Sequence, residues 1–339
     1  LACLALKIRV EEFAIGFGKA LKQWKGKTGT LYSLRAIPLG GFVEPAGQAY
    51  SRETEVKDQG EFAAKPWWKR SIMVAAGAGM NYVLAFVIFF FVVLMMGLPV
   101  SDPKAIPPRV GEVIAGYPAA QAGLTKGDLI LSVNQTPVAD WQQLIEAITA
   151  AADAPQGANV QYQRGEEVFS AQMPVTADKK LGVALEPVYQ KTGVFNALKV
   201  AAHQCYYWTA LSLKTITEKL IARQAPDVAG PIGIFEIVGK GVHSGAADYF
   251  FLIGLISVAI GMFNLFPIPI LDGGHIVFFI IEGIRGKRAK EKTLYRASSV
   301  GLALILMLVV YATYSDIARL TKRNAAPPAA EQTAAQAGK

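Results

Sequence analysis

Between Ser71 and Ser101 no residue carries a charge. A helix needs about 20 apolar residues to cross the hydrocarbon core of a bilayer, and this run exceeds that. Its first half, "VAAGAGMNYVLA", is rich in small residues, which let helices approach closely in a membrane. Two more runs behave alike, Tyr249 to Ile281 and Ala297 to Ser315. Hydrophobic residues make up 52% of the 339, too many for an ordinary soluble chain. The fold class expected is therefore a multi-span α-helical membrane protein, with spans at 71–100, 249–283 and 297–317. The opening "LACLAL" reads as the last turns of an earlier span (1–6), and the sequence as a piece truncated at its N-terminus.

Charge then sets an expected orientation. Leu1 to Arg70 holds twelve Lys/Arg against seven Asp/Glu, and "RGKRAKEK" holds five against one. Residues 101–190 hold six against ten. The positive-inside rule puts 7–70 and 284–296 in the cytoplasm and 101–248 outside, with a disordered Ala/Pro-rich tail at 321–339 also outside. Lys322 and Arg323 count against that side for the tail. The net charge of +8 lies mainly beside apolar runs, which suits a lipid bilayer and excludes a nucleic-acid partner. Cys3 and Cys205 have no metal or disulfide spacing.

Residues 108–188 read as a compact β-rich α+β unit inserted between spans. "RVGEVIAG" and "KGDLILSVN" are strands. "DWQQLIEAITAA" is a helix with Trp141, Leu144, Ile145 and Ile148 on one face, and "ANVQYQRGEEVFSAQM" is a hairpin turning at Arg164–Gly165. "GYPAAQAGLTKGDLILSVNQTPV" resembles a permuted bacterial PDZ domain, with Gln135 where a glycine usually follows the asparagine. Such a domain adds an extended peptide or protein C-terminus to a sheet edge. The strand carrying Leu181, Gly182 and Val183, opposite the 140–152 helix, is the expected groove; a sandwich without ligand is the plainer reading. Residues 192–225 read as an amphipathic helix at the outer interface or, as plainly, one packed on the bundle.

The run 249–281 contains "NLFPIPILDGGH". Between Asp248 and Glu282 the only acidic or basic side chains are Asp272 and His275. A carboxylate inside a span marks a functional site by default. Two prolines break the helix, yet "HIVFFII" continues the apolar run, so the break lies at membrane depth, where irregular backbone must line a protein-enclosed or wet cavity. Asp272 is a candidate metal ligand or proton relay. A second stretch, "GTLYSLRAIPLGGFV", reads as a short cytoplasmic hairpin turning at "PLGG", with Gly40 and Gly41 near an edge that could hold an unwound substrate; a plain loop is the alternative.

The order "KIRVEEFAIGFGKAL", "AIPLGGFV", "AAGAGMNYVLAF", a PDZ-like unit, "GPIGI" and "NLFPIPILDGGH" is similar to the site-2 protease family, in particular the bacterial intramembrane zinc metalloproteases of the RseP kind. Members of that kind with two tandem PDZ domains have one more than fits here. The resemblance implies Zn2+ held by two histidines of an HExxH motif and by Asp272, with Asn264, Pro267 and Pro269 in a motif that holds substrate. Three ligands leave a position for water, which zinc activates while the motif's glutamate acts as base. This sequence has no HExxH; the expectation is that it lay upstream of Leu1 and that the chain as it stands is inactive. His275 is taken as structural. The implied function is regulated intramembrane proteolysis in a bacterial inner membrane, on single-span proteins such as an anti-sigma factor or signal-peptide remnants. A non-catalytic PDZ adaptor is one rival; an ion-coupled transporter is the other, though no inverted repeat flanks the break.

Overall fold

The computed structural model describes residues 1–47, 58–152, 156–176, 179–222 and 230–325. The tail from 326 onward, together with 223–225 at the end of the 192–225 helix, lies outside the described residues. The chain divides into two compact units, one formed by Leu1–Phe90 and Lys199–Asp316, the other built mainly from Phe91–Leu198.

The first unit opens with one helical turn, α1 (Ala2–Ala5), and a long antiparallel hairpin of β1 (Val10–Lys25) and β2 (Leu31–Pro45). The hairpin turns at Gly26–Thr30, where the Gly26 N–H donates to the Thr30 carbonyl at 2.8 Å. "PLGG" is thus not the turn expected there. It lies within β2, because Gly40 adopts a φ of 76° and Gly41 has no side chain to strike β1. A Cβ on Gly41 would sit 2.4 Å from the Ala14 carbonyl oxygen. Repeated register shifts bend the ladder, as bulges do. Within the hairpin, Arg35 bonds Glu12 at 2.7 Å and the Gly18 carbonyl at 3.0 Å. The Ser33 hydroxyl, and then Arg35, hold the Glu12 carboxyl below its ordinary pKa.

α2 (Trp67–Met96) follows. After the inserted unit come α5 (Val194–Ile221), α6 (Pro231–Ser244), α7 (Ala246–Asn264), α8 (Asp272–Arg285) and α9 (Glu291–Ala325). Among the described residues three helices are long and apolar enough to cross a membrane: α2, α7 and residues Lys292–Thr321 of α9. The protein is a membrane protein with a helical majority. α9 overruns the expected 297–317 span at both ends and takes in 321–325, expected as tail, because its flanks are rich in Lys, Arg, Glu and Ala and contain no proline. α5 packs Ala201, Cys205 and Trp208 against Ala85 and Phe89 of α2 and Val258 of α7. Tyr82 and Thr209 share a hydroxyl bond of 3.0 Å. That face of α5 therefore lies on helices.

The second unit has its own core. β3 (Leu98–Pro99) pairs with β10 (Tyr189–Gln190). β4 (Val110–Val113) pairs with β9 (Val183–Leu185). α3 (Pro118–Gln121) is a single turn. β5 (Leu129–Val133), β6 (Thr136–Pro137), β7 (Ala158–Arg164) and β8 (Glu167–Met173) form a sheet in the order β6-β5-β7-β8. α4 (Trp141–Ala151) starts at Asp140, whose carboxylate accepts the Gln143 N–H at 2.8 Å while the Gln143 side chain accepts from the Ala139 N–H at 2.9 Å. This is a reciprocal cap. Trp141, Leu144 and Ile148 enter the core with Ile130, Val160, Met173 and Leu181. Ile145, expected on that face, is exposed. Arg164 pairs with Glu167, so the β7–β8 loop is Gly165–Glu166, one residue later than expected.

Asp128 is fully buried. It accepts two bonds of 2.8 Å from Arg164 and one of 2.8 Å from the Thr125 N–H. Burial alone would raise its pKa, but Arg164 and then Thr125 hold it below the ordinary carboxylate value.

Candidate active site

The residues singled out in "NLFPIPILDGGH" form one continuous feature. α7 ends at Asn264, and Pro267 and Pro269 prevent it from continuing. The connector closes on itself: the Leu271 N–H donates to the Ile268 carbonyl at 2.9 Å, and the Ile268 N–H to the Phe266 carbonyl at 2.7 Å. Between them Ile270 adopts a φ of 118°. A β-branched residue rarely takes that conformation, and such backbone persists only where its surroundings impose it.

Three glycines make room for it here. A Cβ on Gly273 would lie 2.2 Å from the Leu265 carbonyl oxygen, and one on Gly274 would lie 2.3 Å from that of Ile268. The connector thus lies flat against the first turn of α8. On the other side Gly301 of α9 leaves room for the Pro269 carbonyl, which a Cβ would meet at 2.3 Å. Any side chain at these positions would push the connector away from the helices that hold it.

Asp272 is the first residue of α8. Its half-buried carboxylate stands at a helix N-terminus, where unpaired N–H groups favour negative charge. It faces α2: an added Cβ on Gly77 would be in ordinary contact with Asp272 Oδ2 at 3.4 Å. α2 is held beside α7 by small residues and one polar bond, and a second bond within α2 orients Asn81. Ser257 Oγ donates to the Asn81 carbonyl at 2.9 Å, and Asn81 Nδ2 to the Gly77 carbonyl at 3.4 Å. Gly261 leaves space beside the Ala78 carbonyl, where a Cβ would lie at 3.1 Å. His275 is one turn along α8 from Asp272, partly buried, with its N–H on the Leu271 carbonyl at 3.2 Å.

A carboxylate oxygen is a suitable zinc ligand, so Asp272 fits as one member of a ligand set. The described residues do not complete that set, since no three His, Cys, Asp or Glu side chains come together among them. The remaining predicted site residues lie on other elements. Gly40 and Gly41 are in β2. Leu181 is buried in the core of the second unit, Gly182 packs against Tyr117 at a φ of 85°, and Val183 opens β9 opposite Val113. Sequence reasoning missed Gly77, Gly301, Asn81 and Ser257 as residues that shape the site. The small-residue stretch of α2 was the signal for Gly77; nothing distinguishes Gly301 from the other residues of its apolar run.

Comparison with known proteins shows the family of the chain. A profile of peptidase family M50 matches residues 1–308. A candidate zinc metalloprotease of Rickettsia conorii is 33% identical, covering 94% of this chain and 93% of that protein. Metalloprotease MmpA of Caulobacter vibrioides is 28% identical over 94% of this chain and 90% of its own length. The regulator of sigma-W protease RasP of Bacillus subtilis is 25% identical, with 92% of each covered.

Proposed function

We infer, from the premise that the chain belongs to peptidase family M50 and is a metalloendopeptidase of the site-2 type, that it cleaves peptide bonds within the transmembrane segments of single-span proteins. The observation that carries this reading is a carboxylate on the first turn of a helix that restarts inside an apolar run, beside irregular backbone. Irregular backbone at that depth is tolerated where it lines a wet or enclosed cavity, and hydrolysis needs water there. Asp272 would offer one ligand to Zn2+. When bound, zinc supplies an activated water and polarises the scissile carbonyl.

The chain's own residues present the substrate. A helical peptide bond is closed to attack, so the substrate must unwind. The hairpin holds it as an added strand near Gly40 and Gly41; its faces expose Phe13, Ile15, Phe17, Leu34 and Ile37. Asn264, Pro267 and Pro269 hold the unwound segment beside Asp272. The second unit acts as a PDZ-like peptide reader through Leu181, Gly182 and Val183, outside the cytoplasmic membrane of a bacterium, while the basic segments stay inside. The name of the Bacillus relative suggests a substrate class of sigma-factor regulators, with signal-peptide remnants as another.

The test is Asp272→Asn in the full-length protein. Cleavage of a single-span reporter should be lost while membrane insertion is unchanged. Undiminished cleavage would overturn the assignment.

A further inference from the structure

α2 and α8 meet at two places. At one, Gly77 faces Asp272. At the other, two turns back along α2, Arg70 reaches α8. Arg70 bonds Glu282, lies 4.7 Å over the ring of Phe279, and donates to the Lys65 carbonyl at 3.1 Å. Phe279 is two turns past Asp272, so the helices run antiparallel and the two contacts are about 10 Å apart along the axis.

The second contact is unusually well built. Arg70 is only 4% exposed and Phe279 only 2%. Glu282 also bonds Arg288 at 3.4 Å, and Arg288 donates to the Ala63 carbonyl. Trp67 lies where Gly283 has no side chain, 2.6 Å from a would-be Cβ. Phe62 stacks edge-on against Phe279 with ring centroids 5.9 Å apart. The segment carrying Phe62 is bonded to the base of the hairpin: the Arg9 N–H donates to the Gly60 carbonyl and the Phe62 N–H to that of Ala46, at 2.8 and 2.7 Å.

We propose that Glu282, gripped by Arg70 and Arg288, is a positioning residue for the Asp272 carboxylate, and that the same grip fixes the hairpin to the helix that carries it. This rests on the role of Asp272 given above. α8 is pinned at its start by Gly273 and Gly274 under the connector and at its end by Glu282. A slip of one residue along α8 would rotate Asp272 by about 100° away from Gly77. Glu282 cannot leave without stranding a buried guanidinium. A substrate strand held on the hairpin therefore stands at a fixed place relative to Asp272.

The experiment uses the full-length protein in liposomes with a single-span reporter, rates being normalised to folded enzyme. Glu282→Gln and Arg70→Met should each lower kcat by about tenfold or more, as small misplacements of a reacting group do, with KM unchanged. Reversing both charges, Arg70→Glu with Glu282→Arg, should recover much of the loss seen in either single reversal. A kcat at the wild-type level in Glu282→Gln overturns the proposal, as does a loss explained wholly by less folded protein or by KM. Asp272→Asn is run beside them. If it still cleaves, the reading of the site fails; if it is dead while Glu282→Gln keeps its kcat, only the positioning role fails.

Discussion

At the scale of single residues, the chain places side chains where the backbone would prefer glycine. Asn134 and Gln135 form the two-residue loop between β5 and β6, with φ of 48° and 65°. That is the conformation of a type I′ turn, for which Asn-Gly is favoured. Gln135 stands where glycine is favoured, and it adopts the left-handed conformation itself. Asn134 contributes by bonding the Asn159 N–H at 2.7 Å and the Gly157 carbonyl at 3.3 Å. Gln135 has no such aid among the bonds described and bears the left-handed cost. Gln135→Gly should raise the stability of this unit by about 1 kcal/mol, read as a higher urea midpoint at unchanged slope. A lower midpoint would mean that the glutamine side chain supports the fold in another way. Ile270 is the opposite case. Its positive φ has no sequence signal, because the room for it comes from Gly273, Gly274 and Gly301, brought together by the fold.

At the scale of elements, the apolar runs were legible because the bilayer demands length and lack of charge, and these are properties of a sequence window. The family was legible for another reason: short motifs in a fixed order survive when overall identity is low. Helix partners were less so. "VAAGAGMN" announces close packing without naming the partner, which the structure identifies for Ala78 as Gly261 of α7. The turn of the β1–β2 hairpin was misplaced because "PLGG" is a good turn sequence by local rules, whereas "GKTGT" closes the loop and the glycines of β2 serve close strand approach. The α2–α7 contact gives a test at this scale. Gly254 stands over Phe89, whose ring would be 2.5 Å from an added Cβ. Phe89 is wholly buried and cannot swing away. Gly254→Leu should therefore destabilise the first unit by about 1–3 kcal/mol through overpacking, seen as a lower melting temperature in detergent. An unchanged melting temperature would show that the two helices are not rigidly apposed.

At the scale of the whole molecule, the two units depend on different physics. The first needs a bilayer for the exposed apolar faces of α2, α7 and α9. The second carries a water-compatible core of its own, from Ile106 to Leu181. Residues 98–190, produced alone, should unfold in one cooperative step. Its Asp128 has a pKa lowered by folding, so the carboxylate adds stability above the unfolded value and loses it as pH falls through the folded one. The isolated unit should thus weaken below about pH 4. Asp128→Asn should flatten that slope and cost about 2 kcal/mol at neutral pH, measured by urea titration across pH. A slope that persists in Asp128→Asn would place the titrating group elsewhere. The proposed zinc site was the least legible part, because a metal centre is assembled from distant segments and Asp272 alone stands in a motif that the family resemblance links to zinc.

The short ladder of β3 with β10 has an evolutionary consequence. Near the two ends of the 98–190 segment, Leu98 and Gln190 are partners across an antiparallel pair, so their Cα atoms are about 5 Å apart. Gly97 makes the junction tight, with room for the Gln190 carbonyl but not for a side chain. A module whose ends meet in this way behaves like a bead on a clasp. It can be gained, doubled in tandem or dropped for a tight turn without altering the distance that the flanking helices must span. Such a module is free to change in sequence or number while the helices that flank it stay as they are.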